Sequence, residues 1–95
     1  MAYKLEIRGE AEEEIFEAYK WYEEQTPGLG ERFIVELEAV FNKISRTPLH
    51  YKIARSVFRQ ASIKSFPFVV YFEINRDNIV VYSVFHTSRK PHKRF

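Results

Sequence analysis

Arg59, Lys64, Arg89 and Lys90, together with Lys52, Arg55, Lys93 and Arg94, are interleaved with Tyr51, Phe58, Phe66 and Phe95. Arginine and lysine neutralise phosphates, and aromatic rings offer platforms on which unpaired bases stack. The chemistry suggested is recognition of a polyanion. The same aromatics would equally serve a buried core, so the pattern is suggestive without being specific. Charge is unevenly divided along the chain. Residues 1–47 hold 6 Lys/Arg against 11 Asp/Glu, a net of −5, and residues 48–95 hold 9 against 2, a net of +7. Such asymmetry points to an anionic partner for the basic half, or to two halves that neutralise each other across one surface.

Other chemistries find little footing. The chain has no cysteine, which excludes disulfides, thiolate metal sites and a thiol nucleophile. His50, His86 and His92 lack the compact spacing of a zinc site, so no metal and no cofactor are expected. Glu10, Glu12, Glu13 and Glu14 crowd one helical turn and point in several directions, as a solvated face would. Asp77 is the only aspartate and falls in a turn, which leaves a Ser-His-Asp triad without support. Gly28 and Gly30 form a bare G-x-G with no preceding strand, so a dinucleotide loop is not indicated. The N-terminus MAYKLEIRGE carries no apolar signal core, and no stretch approaches the roughly 20 apolar residues of a membrane span. A cytoplasmic protein is expected.

The elements that must position these residues follow from periodicity. With 95 residues and 45% hydrophobic content, the chain fits one domain over residues 1–95. Tyr3, Leu5 and Ile7 alternate with charges and predict a short strand. Ala11, Ile15, Ala18, Tyr19 and Tyr22 repeat at helical spacing, and so do Phe33, Leu37, Val40, Phe41 and Ile44. Between them Thr26-Pro27-Gly28-Leu29-Gly30 has the chemistry of a turn, giving an antiparallel helical hairpin. After Pro48 the period changes. Strands are expected at Val57 to Lys64, Phe66 to Ile74 and Ile79 to Phe85, the last two joined through Asn75-Arg76-Asp77-Asn78. The order β-α-α-β-β-β predicts an α+β fold, with the helical hairpin packed on a mostly antiparallel sheet. Phe68, Val70, Phe72, Val80, Tyr82 and Val84 are the expected inward residues, although both strand faces carry apolar side chains.

The segment Phe66-Pro67-Phe68-Val69-Val70-Tyr71 and the terminal His86-Thr87-Ser88-Arg89-Lys90-Pro91 read as F-P-[FY]-x-[VI]-Y and H-x-x-R-x-P. With the order of elements, they resemble the RelE/ParE superfamily of bacterial toxins, over nearly the whole chain. These are the toxic halves of type II toxin–antitoxin modules, often labelled plasmid-stabilisation proteins. The resemblance implies a cognate antitoxin as partner and one of two targets. ParE-like members bind and poison DNA gyrase, and the H-x-x-R-x-P tail is closer to them. RelE-like members cut messenger RNA on the ribosome; under that alternative His86, Arg89, Lys64 and Arg59 would be catalytic. His86 could then act as base or acid, because its unperturbed pKa is near neutral. A third alternative is a non-toxic nucleic-acid-binding module that has kept the fold. The tyrosine that RelE-like toxins carry near the C-terminus has no counterpart here, which favours a binder. On the ParE reading the target-binding residues are His86, Arg89, Lys90 and Lys64.

An antitoxin would need its own surface. On a wheel of about 100° per residue, Phe16 and Trp21 each lie about 100° or more from the core stripe of the first helix, and Val35 lies opposite that of the second. Apolar residues left outside the stripe on adjoining helices suggest a covered patch. Phe16, Trp21 and Val35 are therefore the expected antitoxin-binding residues.

Overall fold

The two helical periods become α1 (Gly9–Gln25) and α2 (Leu29–Arg46) in a computed structural model that describes residues 3–88. Glu10 and Glu12 sit in the first turn of α1, and Lys43 and Arg46 in the last turn of α2, each on the side the helix dipole favours. The reversal between the helices is chemically specific. Gly28 takes φ 89°, open to glycine without steric penalty. The Glu23 carboxylate then accepts from the backbone N–H of Gly28 (2.8 Å) and Gly30 (2.9 Å), satisfying donors that the start of α2 would otherwise leave unpaired. A Cβ on Gly30 would meet the Tyr19 carbonyl oxygen at 2.7 Å, so only glycine permits this close approach of the helices.

The strands are β1 (Lys4–Ile7), β2 (Ile53–Arg55), β3 (Phe58–Ser62), β4 (Phe68–Asn75) and β5 (Asn78–His86), with a single 3-10 turn at Pro48–His50 after α2. They form one sheet in the order β1-β5-β4-β3-β2, antiparallel except where β1 joins β5. The expected arrangement of a helical hairpin on a mostly antiparallel sheet is what the chain adopts. One strand escaped the sequence: β2 is three residues long and exposed throughout, too short to show a period.

The core lies between the hairpin and one face of the sheet, where Phe33, Leu37 and Ile44 of α2 meet Val70, Phe72, Ile79 and Val81. Here the expected face of β5 needs correcting. Ile79 and Val81 are fully buried, whereas Val80 and Tyr82 are half-buried on the other side. The reason is a register shift: Phe72 pairs with Val81 and Tyr71 with Ser83, so β5 carries one extra residue at Tyr82. Beyond it Val84 pairs with Val70 and turns inward, as expected.

The β4–β5 connection confirms the expected hairpin, with Asn75 opposite Asn78 and Arg76-Asp77 as the turn. Arg76 sits at φ 58°, a left-handed conformation that is strained for a residue with a Cβ. Replacing it with glycine is expected to raise stability by about 0.5–1 kcal/mol, the relief of that strain less the added freedom of the unfolded chain. A urea titration showing lower stability for Arg76→Gly would contradict the turn geometry.

Candidate functional site

β3, β4 and β5 bring two of the expected site residues to one end of the sheet. Ser62 ends β3 opposite Val69, and His86 ends β5 opposite Phe68. Lys64 follows β3 in the loop to β4 and is exposed. It and His86 thus flank the start of β4, with strand axes two places apart separated by about 10 Å. His86 stands edge-to-face with Phe68, ring centroids 5.2 Å apart, and its Nδ1 accepts the Ser88 backbone N–H at 3.0 Å. An accepting Nδ1 places the proton of the neutral ring on Nε2. Arg89 and Lys90 follow directly in sequence and lie outside the described residues.

Arg59 is placed elsewhere. It pairs with Phe72 in the middle of the sheet, on the helix-facing side, and its Nη1 donates to the Tyr51 carbonyl at 2.6 Å. About 10 Å of strand separates it from Ser62. Its guanidinium fastens the segment after α2 to β3, a structural task that the sequence could not reveal. Among the described residues, His86 and Lys64 lie at the same end of the sheet, while Arg59 lies further along β3 and is bound to Tyr51.

The opposite side of the sheet carries no described helix, and there the sequence reading missed a feature. Phe58, Tyr71, Tyr82 and Phe85 form a continuous aromatic row across β3, β4 and β5. Ring-centroid distances are 6.1 Å for Phe58–Tyr71, 5.2 Å for Phe58–Tyr82 and 5.3 Å for Tyr71–Phe85. The Arg8 guanidinium lies over the Tyr82 ring at 5.2 Å. Tyr82 donates to Glu73 at 3.0 Å; that bond, then burial and the Glu73 charge, hold its phenol above the ordinary value, so it stays neutral. Alternation alone could not point to this row, because Tyr82 and Phe85 are three residues apart across the extra residue in β5.

The expected antitoxin residues are all exposed: Phe16 at 59%, Trp21 at 50% and Val35 at 62%. They do not form one flat patch. Five residues of helix turn Phe16 and Trp21 about 140° apart, on opposite flanks of α1. Lys20 lies over Phe16 at 5.4 Å, and Trp21 packs edge-on against Tyr22 at 5.2 Å. None of the helices in the described residues is long and apolar enough to cross a membrane.

Comparison with known proteins agrees with the fold. Residues 5–91 match the family described as ParE toxin of type II toxin-antitoxin system, parDE. No curated protein matches the chain. Among solved structures, a chain of the chromosomal ParDE TA system from P. aeruginosa is similar in fold, with a TM-score of 0.81 at 11% identity. The match covers 92% of this chain and 98% of that one.

Proposed function

This chain belongs to the ParE toxin family of type II toxin–antitoxin systems, and we propose from that membership that it arrests growth by binding DNA gyrase and is silenced by a cognate antitoxin. The observation that carries the reading is the family match, which runs through both the helical hairpin and the H-x-x-R-x-P tail. The spacing of the site supports a binder over a nuclease. Cleavage of RNA by its own 2′-OH needs a base, an acid and cations gathered around one phosphate. Among the described residues Arg59 is committed to Tyr51, away from His86 and Lys64. The residues that meet the target are Lys64 and His86 at this sheet end, with Arg89 and Lys90 next in sequence. Arginine's planar fork suits a carboxylate or phosphate partner there. The antitoxin contacts the outer faces of the hairpin, with Phe16 and Trp21 on the two flanks of α1 and Val35 on α2.

Controlled expression in a host lacking the antitoxin tests this. The parent chain is expected to stop growth, with gyrase–DNA breaks accumulating, and a folded Arg89→Ala protein is expected to lose the effect. Fragmented transcripts without trapped gyrase would instead establish the RelE-like alternative. Normal growth with the parent chain at high expression would reject a toxin altogether.

A further inference from the structure

The two sequence motifs, Phe66-Pro67-Phe68 and the run that begins at His86, meet in the fold. His86 pairs with Phe68, and one residue further on the Thr87 N–H donates to the Pro67 carbonyl at 2.8 Å. Proline has no N–H to return, so the ladder between β4 and β5 ends at this pair. Proline also shapes the acceptor. The Phe68 N–H donates to the Phe66 carbonyl at 2.8 Å, closing a tight turn centred on Pro67, whose ring already holds φ near the value required. The next N–H along β5, that of Ser88, is taken by the His86 Nδ1 at 3.0 Å. A side-chain acceptor on residue i that takes the N–H of residue i+2 has the geometry of an Asx turn, here closed by an imidazole. Packing limits the ring. It stands edge-on to Phe68, which is 5% exposed and itself lies against Phe33, ring centroids 5.1 Å apart.

We propose that His86 is a positioning residue: its Nδ1, acting with Pro67 and Phe68, fixes the direction in which the chain leaves the sheet, and so presents the cations of Arg89 and Lys90 to the target. This rests on the reading of those cations as target contacts, and adds a role that contact alone does not require. It gives both motifs one task. Pro67 accepts from Thr87 and ends the ladder, Phe68 supplies the wall for the imidazole, and His86 turns the chain at Ser88. Asparagine and aspartate close such turns elsewhere, but histidine also offers a ring that packs on Phe68. In this role His86 is not the general base that RNA cleavage needs. A base must direct a lone pair at the reacting hydroxyl, and the in-plane lone pair of the neutral ring lies on Nδ1, where Ser88 occupies it.

The test compares the full parent chain with His86→Asn, His86→Gln and His86→Ala. Asparagine carries its acceptor oxygen as many bonds from Cα as Nδ1, and glutamine carries it one bond further. Amide hydrogen exchange of the purified proteins reads the turn. The Ser88 N–H of the parent is expected to exchange about tenfold more slowly than in an unstructured chain. His86→Asn should keep that protection, and His86→Gln and His86→Ala should lose it. The Thr87 N–H, held by Pro67, should stay protected in all four and so report that the sheet end is folded. ¹⁵N spectra of the parent ring are expected to place the proton of the neutral form on Nε2. On controlled expression, the level of protein needed for growth arrest should rise about tenfold for His86→Ala and His86→Gln, and by less for His86→Asn. An unprotected Ser88 N–H in the parent, or a ring protonated on Nδ1, would overturn the turn. Arrest weakened as much in His86→Asn as in His86→Ala, with Ser88 still protected in the former, would overturn the positioning role and leave His86 as a contact only. Arrest undiminished in all three variants would overturn it as well. A parent chain that does not arrest growth refutes the toxin reading, while an unprotected Ser88 N–H in a parent that does arrest growth refutes only the turn.

Discussion

Phe33→Ala is expected to lower the stability of the folded chain by about 3–5 kcal/mol. Phe33 has 0% exposure, and its ring meets those of Tyr22, Phe66 and Phe68 at centroid distances of 5.5, 5.3 and 5.1 Å. It therefore joins α2, α1 and the start of β4 in one aromatic cluster. Truncation removes both the transfer energy of the ring and its contacts, and neighbours held separately on α1 and at the start of β4 cannot collapse into the space together. Domains of this size have a total stability of about 5–15 kcal/mol, so the variant approaches the limit of folding. Each kcal/mol shifts the midpoint of melting by about 4–8 °C in a chain of this length. Thermal and urea unfolding measure the effect. A loss below about 1 kcal/mol would mean that the cluster repacks and that Phe33 is not its centre.

Glu14→Ala is expected to cost about 2–3 kcal/mol, although glutamates on an acidic helix are ordinarily expendable. Its carboxylate accepts from the Ser83 hydroxyl at 2.8 and 3.1 Å and from the Val84 N–H at 2.9 Å. Ser83 and Val84 are 2% and 1% exposed, so deleting the acceptor strands two donors where water does not readily reach. The position has a reason. Next to the register shift at Tyr82, the β5 ladder is irregular, and Glu14 provides an acceptor to the Val84 N–H from the helix above. Glu14→Gln keeps one acceptor oxygen and should lose less than half as much. Comparing Glu14→Ala, Ser83→Ala and the double variant isolates the shared term. If the two single losses simply add, the hydrogen bond carries no coupling energy.

Glu14 also marks the limit of sequence reading. Its neighbours Glu10, Glu12 and Glu13 are exposed, and nothing in a run of like residues distinguishes the one that turns inward. The helices were legible because a period of 3.6 over 17 or 18 residues is hard to imitate, and the β4–β5 hairpin because its turn residues stand between two apolar runs. The inward face of β5 was not legible. Val80, Val81 and Tyr82 are all compatible with burial, and the extra residue at Tyr82 breaks the alternation that would have decided between them. The site was read in part. The sequence places His86 and Lys64 in the basic half, and the fold brings them to one sheet end. Whether a cation is available or already committed depends on a carbonyl eight residues away, as Arg59 and Tyr51 show.

The parallel pairing of β1 with β5 governs the order in which the chain can fold. Leu5 lies opposite Ile79 and Ile7 opposite Val81, so the first strand docks only once the last has been laid beside β4. Contacts this distant in sequence are slow to form, because a long loop must close before they contribute. On the ribosome, α1 and α2 emerge before β3, β4 and β5, with Phe33, Leu37 and Ile44 lacking the strands that bury them. Completion waits for residues 78–86. A chain interrupted before β5 has neither the surface on which α1 packs nor the sheet end that bears His86. Synthesis therefore delivers this fold late and all at once, and a truncated product is expected to be cleared by proteases before it can act.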